Sequence, residues 1–323
     1  MTKVLFITSS SFSGSTLLSF LLNTHPGIAT VGEMEGWRTA DLETFRCSCG
    51  ELLKACPFFT SMARVFAQNG LPFDPRDFGT GYRLVSNLRI NRYLTEAVPV
   101  IRSTWLETLR DAIVRHIPVL AGRIERSNRA NLLFMRSALA FKGASVFVNA
   151  DKSPFRLRYL RALEDIDLNV LYLTRDPRGV VMTLMENRRW DAAMATRMWI
   201  RDQENIVRVL REFPAHLHVY YEDLCDSVNE VLGRIHAFAG LPPIPFPGDF
   251  KSTEHHILGN SMRLENMGRI VRSERWKKKL TAGDLTAIRN TADTFIRDNP
   301  GHPVSGILRR YLADAPTAAP ATI

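Results

Sequence analysis

Residues 4–26 read VLFITSSSFSGSTLLSFLLNTHP, and few folds accommodate such a run. Val4–Ile7 is apolar and short enough for a buried strand. Ser9, Ser10, Ser11, Ser13, Gly14, Ser15 and Thr16 then crowd small hydroxyl residues into one turn. Leu17, Leu18, Leu21 and Leu22 recur at helical spacing. A buried strand feeding a helix through a tight loop is the opening unit of an α/β fold with a parallel sheet. The loop sits where the strand ends and the helix begins. Backbone N–H groups and hydroxyls converge there on the positive end of a helix, a geometry that holds a phosphate or sulfate. The other reading is a serine-rich turn that binds nothing.

Further strand candidates are Ser145–Asn149, Asn169–Thr174 and Leu217–Tyr221, each apolar and followed by polar or turn residues. Helical patterns lie between them. The expected fold class is therefore α/β, a central parallel sheet flanked by helices. Residues 57–142 contain no strong strand, and 84–115 and 118–140 read as amphipathic helices interrupted at Pro99 and Pro118. A helical insertion over 57–142 is expected, packed on one side of the sheet and contributing to a substrate pocket. Residues 191–213 and 225–239 read as further helices. The expected organisation is a single domain over 1–312, with an Ala/Pro/Thr-rich tail at 313–323 expected to be disordered.

Apolar content of 45% and charged content of 23% fit a globular chain. No apolar run reaches the ~20 residues that a membrane-spanning helix requires, and Val4–Ile7 is too short for a secretory core. A cytoplasmic protein without membrane insertion is expected. The net charge of +9 suits an anionic ligand. The basic residues are scattered, without zinc-finger spacing or an interleaved aromatic pattern, which argues against nucleic acid. Three of the four cysteines cluster as Cys47, Cys49 and Cys56. Three thiols within ten residues suit zinc or a disulfide. Only His25 and His116 offer themselves as a fourth ligand, so three thiols shaping a loop is the preferred reading and no metal is expected.

The loop at 9–16 departs from an ATPase loop, which weakens that reading. That motif, G-x-x-x-x-G-K-[ST], needs a lysine after its second glycine, and Gly14 is followed by Ser15 and Thr16. A second motif is LYLTRDPRGVVMT at 171–183. It places Arg175 after a strand, at the edge where open α/β sheets bind ligands. Pro177 suits the first helical turn. Thr183, eight residues on, lies on the helix face that returns toward Arg175. A guanidinium with a hydroxyl beside it clamps a phosphate.

Together these two motifs, in this order, resemble the sulfotransferases that use 3′-phosphoadenosine 5′-phosphosulfate (PAPS). Other elements resemble that family too: Asn23-Thr-His-Pro26 followed by Val31-Gly-Glu33, Cys47-Ser-Cys-Gly50 with Cys56-Pro-Phe-Phe59, and Asp151-Lys-Ser-Pro-Phe155. Tyr221-Glu-Asp-Leu224, Gly259-Asn-Ser-Met-Arg263 and Arg275-Trp276 complete the set. The resemblance spans about residues 4 to 280. It implies a sulfotransferase fold related to that of the P-loop NTPases, PAPS as donor and 3′,5′-ADP as product. Ser13, Gly14, Ser15 and Thr16 would then bind the 5′-phosphosulfate, and Arg175 and Thr183, with Arg263, the 3′-phosphate.

One position departs from the family. Phe12 stands where a Lys or Arg usually precedes the Ser-Gly pair. The resemblance makes Lys152 the substitute cation. In-line sulfuryl transfer also needs a base opposite the leaving group. Glu33 is the first candidate and Glu35 the second. The acceptor is a small molecule, carbohydrate, lipid or peptide bearing a hydroxyl or amine. Trp37, Trp105, Trp190 and Trp199 could line its pocket, although aromatic residues at helical spacing more often form core. The rival readings are a kinase or NTPase holding Mg²⁺ through Asp151 or Asp176, and a nucleotide-binding protein without catalysis.

Overall fold

The computed structural model describes residues 1–35, 41–96, 103–249, 255 and 270–312. Trp37, Arg263 and the tail at 313–323 lie outside the described residues. Five strands form one sheet: β1 (Thr2–Ser9), β2 (Ile28–Thr30), β3 (Val146–Lys152), β4 (Ile166–Thr174) and β5 (His216–Tyr220). Their order is β2-β3-β1-β4-β5, and every pair is parallel. All five carboxyl ends therefore lie along one edge. β1 is central, with Ser9 level with Leu173 on one side and Thr8 level with Lys152 on the other.

Alternation along the strands assigns each face its cover. Leu5 and Ile7 of β1 join Val148 and Leu171 beneath α1 (Ser15–Asn23) and α10 (Val228–Phe238). Val4 and Phe6 point to the opposite face, which carries two separate helical groups. Over β2 and β3, Val4, Ala29 and Phe147 meet α2 (Pro57–Gln68) and α5 (Pro118–Lys142) through Phe58, Phe59, Phe66 and Phe134. Over β1 and β4, Phe6, Val170 and Tyr172 meet α7 (Pro177–Arg188), α8 (Ala192–Leu210), α12 (Ala282–Asp298) and α13 (Pro303–Leu312). Trp199 of α8 is fully buried there.

The segment expected as a helical insertion contains α2, α3 (Leu88–Thr95), α4 (Thr104–His116) and α5. A buried ion cluster ties α4 to the rest of the molecule. The Glu107 carboxylate, fully shielded from solvent, accepts from Arg158 at 2.9 Å and from Arg208 at 2.6 Å. A carboxylate is tolerated in such a place only because two guanidinium groups replace its hydration. Trp105 lies on the exposed side of α4 and does not line the cleft beside the sheet. The α9 helix (Tyr221–Asp226) follows β5 directly, and a short turn, α11 (Trp276–Lys279), precedes α12. A cleft opens at the carboxyl edge of the sheet, between α3 on one side and α7, α8 and α12 on the other.

Candidate active site

The loop after β1 turns sharply. Phe12 has φ 63° and Gly14 has φ 93°, the left-handed region that glycine alone enters without strain. Left-handed residues in a tight turn bring successive N–H groups to a common side. A side chain at Gly14 would also collide with the Tyr221 ring, since an added Cβ would lie 2.5 Å from Tyr221 Cδ2. Ser13 is fully buried and its hydroxyl lies 2.8 Å from that of Ser10. Ser13, Gly14, Ser15 and Thr16 thus surround the start of α1, where a helix leaves its first N–H groups without an intrahelical partner. The Ser9 hydroxyl, also buried, has no hydrogen-bond partner among the described residues. An orphaned buried hydroxyl beside a cradle of this shape fits an anionic ligand.

The second motif reaches back to the first. Asp176 caps α7 by accepting from the Arg178 N–H at 2.9 Å, and Pro177 occupies the first helical turn. Arg175 lies just outside that cap. Its Nη1 donates to the Phe12 carbonyl at 2.9 Å, and its guanidinium stands over the Tyr221 ring at 4.5 Å. Gly179 lets the guanidinium lie flat on α7: an added Cβ there would lie 3.2 Å from Arg175 Nε. Thr183 is one turn further, with its hydroxyl donating to the Gly179 carbonyl at 3.0 Å. Arg175 thus lies against Gly179, and Thr183 follows one turn later along α7.

The element after β5 holds this arrangement in register. Tyr221 fills the space between Gly14 and Arg175. Glu222 accepts from the Asp176 N–H at 3.0 Å and from the Tyr311 hydroxyl at 2.7 Å. Burial raises the Glu222 carboxyl above its usual value despite those two donors. Sequence reasoning noted the Tyr221-Glu222 pair but gave it no role, and it missed Tyr311 altogether. The signal lay in the pattern itself, because a carboxylate directly after a strand ending at this edge faces the turns of its neighbours.

Glu33 and Lys152 come together on the opposite flank of β1. Glu33 follows β2, Lys152 ends β3, and the ammonium pairs with the carboxylate, both about a quarter exposed. Lys152 adopts φ 65°, and its carbonyl accepts from the Thr8 hydroxyl at 2.8 Å. A left-handed non-glycine residue costs of order 1–3 kcal/mol, and here it swings the lysine toward Glu33. Asp151 is fixed elsewhere: it pairs with Arg156 at 2.9 Å and accepts from the Met34 N–H at 2.6 Å. Glu35 is more exposed and lies 3.8 Å from Arg156.

A cleft of about 1450 Å³ opens beside this pair, with Ser9, Ser10, Glu33 and Lys152 among its lining. Its walls come from α3 of the insertion and from α8 and α12. Trp190 and Asp202 line it too, and burial pushes the Asp202 carboxyl up to about 6. Of the four tryptophans considered, Trp190 alone lines the cleft among the described residues.

Among solved structures, this chain matches a sulfotransferase domain from the curacin biosynthetic pathway. The TM-score is 0.51 at 15% identity, covering 91% of this chain and 98% of that one. The chain has the sulfotransferase fold. A sulfotransferase domain from the Synechococcus PCC 7002 olefin synthase matches at 20% identity and a TM-score of 0.48, covering 91% and 94% of the two chains. The mouse sulfotransferase SULT7A1, complexed with PAP, matches at 11% identity and 0.45, covering 97% and 89%. No family model matches the sequence, and no curated protein does. Within the sulfotransferase fold, the loop after β1, Arg175, Tyr221 and the Glu33–Lys152 pair all stand at strand carboxyl ends. No helix among the described residues is long and apolar enough to cross a membrane.

Proposed function

We propose that this protein is a sulfotransferase that moves a sulfuryl group from PAPS to a hydroxyl or amine of an acceptor bound in the cleft. The observation that carries this reading is the position of Arg175. It links the β1–α1 loop to the α7 face that ends at Thr183, while Glu33 and Lys152 flank the same loop on the cleft side. A donor with two separated anionic groups suits this layout. Its 3′-phosphate would take Arg175 and Thr183. Its 5′-phosphosulfate would take Ser13, Gly14, Ser15 and Thr16 at the α1 terminus.

Catalysis of such a transfer is positioning and charge stabilisation. The acceptor enters from the cleft, in line with the loop. Glu33 accepts its proton. Lys152, held at the same place, supplies positive charge to the bridging oxygen as its bond to sulfur breaks. This is the cation that Phe12 does not provide. Asp151 and Asp176, the two carboxylates a kinase would need for Mg²⁺, are each engaged: Asp151 with Arg156 and Asp176 with Arg178 at 2.7 Å. That favours sulfuryl transfer over phosphoryl transfer.

The direct test is incubation with sulfur-labelled PAPS and a metabolite extract from the host, followed by mass spectrometry. The reading expects sulfated products that need both enzyme and PAPS. Mg²⁺-dependent ATP turnover with no sulfated product would overturn it.

A further inference from the structure

Cys47, Cys49 and Cys56 meet His255, and their four ligand atoms all lie within 4.8 Å of one another. This is the fourth ligand that the sequence did not offer. It is neither of the histidines considered there: the His25 ring lies 3.0 Å from the Pro242 carbonyl, and His116 lies 2.7 Å from that of Ala112. His255 is 199 and 208 residues away from Cys56 and Cys47 in the chain, beyond the reach of any spacing rule. From these four side chains we infer a structural zinc site of the Cys₃His type, independent of the sulfotransfer reading.

The distances support a tetrahedral ion. Zn–S bonds of about 2.3 Å and Zn–N bonds of about 2.0–2.1 Å place tetrahedral ligands about 3.8 Å apart for S···S and about 3.6 Å for S···N. Cys49 and Cys56 sulfurs are 3.8 Å apart. His255 Nδ1 lies 3.3 Å from the Cys56 sulfur and 3.8 Å from that of Cys47. A disulfide would require about 2.05 Å, and all three cysteines are free thiols.

The local backbone gathers the sulfurs. Cys47 and Cys49 sit in a turn closed by the Gly50 N–H donating to the Cys47 carbonyl at 2.9 Å, with Gly50 at φ 91°. Cys56 caps α2. The surroundings are dry, with Cys47 and Cys56 fully buried and the His255 ring stacked on Phe58 at 5.1 Å. Four protein ligands with no open position make a structural site rather than a catalytic one. The ion would tie the turn before α2 to His255, 199 residues beyond Cys56 along the chain.

The test uses the full chain without a histidine tag, purified under reducing conditions, dialysed against weak chelator and assayed for zinc by mass spectrometry of the metal. About one zinc per chain is expected. A Cys47→Ser/Cys56→Ser double variant should lose it. Should that variant fail to fold, wild-type protein loaded with Co²⁺ without oxygen should show tetrahedral d–d bands and thiolate-to-metal charge transfer. Zinc far below one per chain, zinc retained by the double variant, or Co²⁺ spectra without thiolate bands would each overturn the inference. None of these readouts depends on PAPS.

Discussion

Phe12 shows how a single residue redistributes work within a site. Its side chain packs against the core beneath α7 and α8, so it cannot stand in for a cation, yet its carbonyl holds Arg175 in place. Lys152 is paired with Glu33, and in the proposed mechanism it takes over the positive charge near the reacting group. The two residues would then act as a unit, one taking the proton and the other meeting the developing charge. Replacing Glu33 by Gln keeps the shape and a hydrogen bond to Lys152 but removes the base. We expect kcat to fall by about 10²–10⁴-fold, with little change in the KM for PAPS. Steady-state kinetics with an unsulfated acceptor that the wild-type protein sulfates checks this. Unchanged turnover would transfer the role to another carboxylate, with Glu35 and Asp202 the ones to examine next.

The elements that carry the site were largely legible because they are the most regular parts of the sequence. The expectation Val4–Thr8 lies within β1 (Thr2–Ser9), and Asn169–Thr174 within β4 (Ile166–Thr174). Those strands are buried on both faces and read as continuous apolar runs. β2 was not legible: three residues, Ile28–Thr30, carry no periodicity, and only pairing to β3 makes them a strand. The stretch 84–115, expected as helix interrupted at Pro99, contains α3 and α4. A capped start at Asn87, whose side chain accepts from the N–H groups of Arg89 and Ile90, marks the first of them. The 225–239 helix likewise begins as α9 and restarts at Ser227 as α10. The start of α7 after Arg175 could be read from Pro177, which suits a first helical turn. Tyr311 and His255 could not, since each reaches its partner only through the tertiary fold.

For the whole molecule, two buried histidines predict its response to acid. Burial pushes both His218 and His236 down to about 4. His236 is 1% exposed, and neither ring nitrogen has a hydrogen-bond partner among the described residues. The unfolded chain protonates its histidines near 6.5, while the folded chain keeps these two neutral down to about 4. Between those values the unfolded state binds more protons, so stability falls as pH falls. The raised carboxyls of Asp202 and Glu222 act in the opposite sense over the same range, so the histidine share is isolated by comparison: His236→Leu should lose less thermal stability than the wild type, or gain more, between pH 6.5 and 4. Calorimetry across the window tests it. At the same scale, the parallel sheet gathers the described candidate residues toward one edge, and the central claim concerns what that edge holds. The most direct measurement is thermal stabilisation by 3′,5′-ADP, 5′-AMP and ATP side by side, repeated with Arg175→Ala. A ligand that binds only the folded state raises the midpoint in proportion to its affinity. Selective stabilisation by 3′,5′-ADP that Arg175→Ala abolishes is the predicted result. An equal response to all three nucleotides, or none to 3′,5′-ADP, would contradict the account.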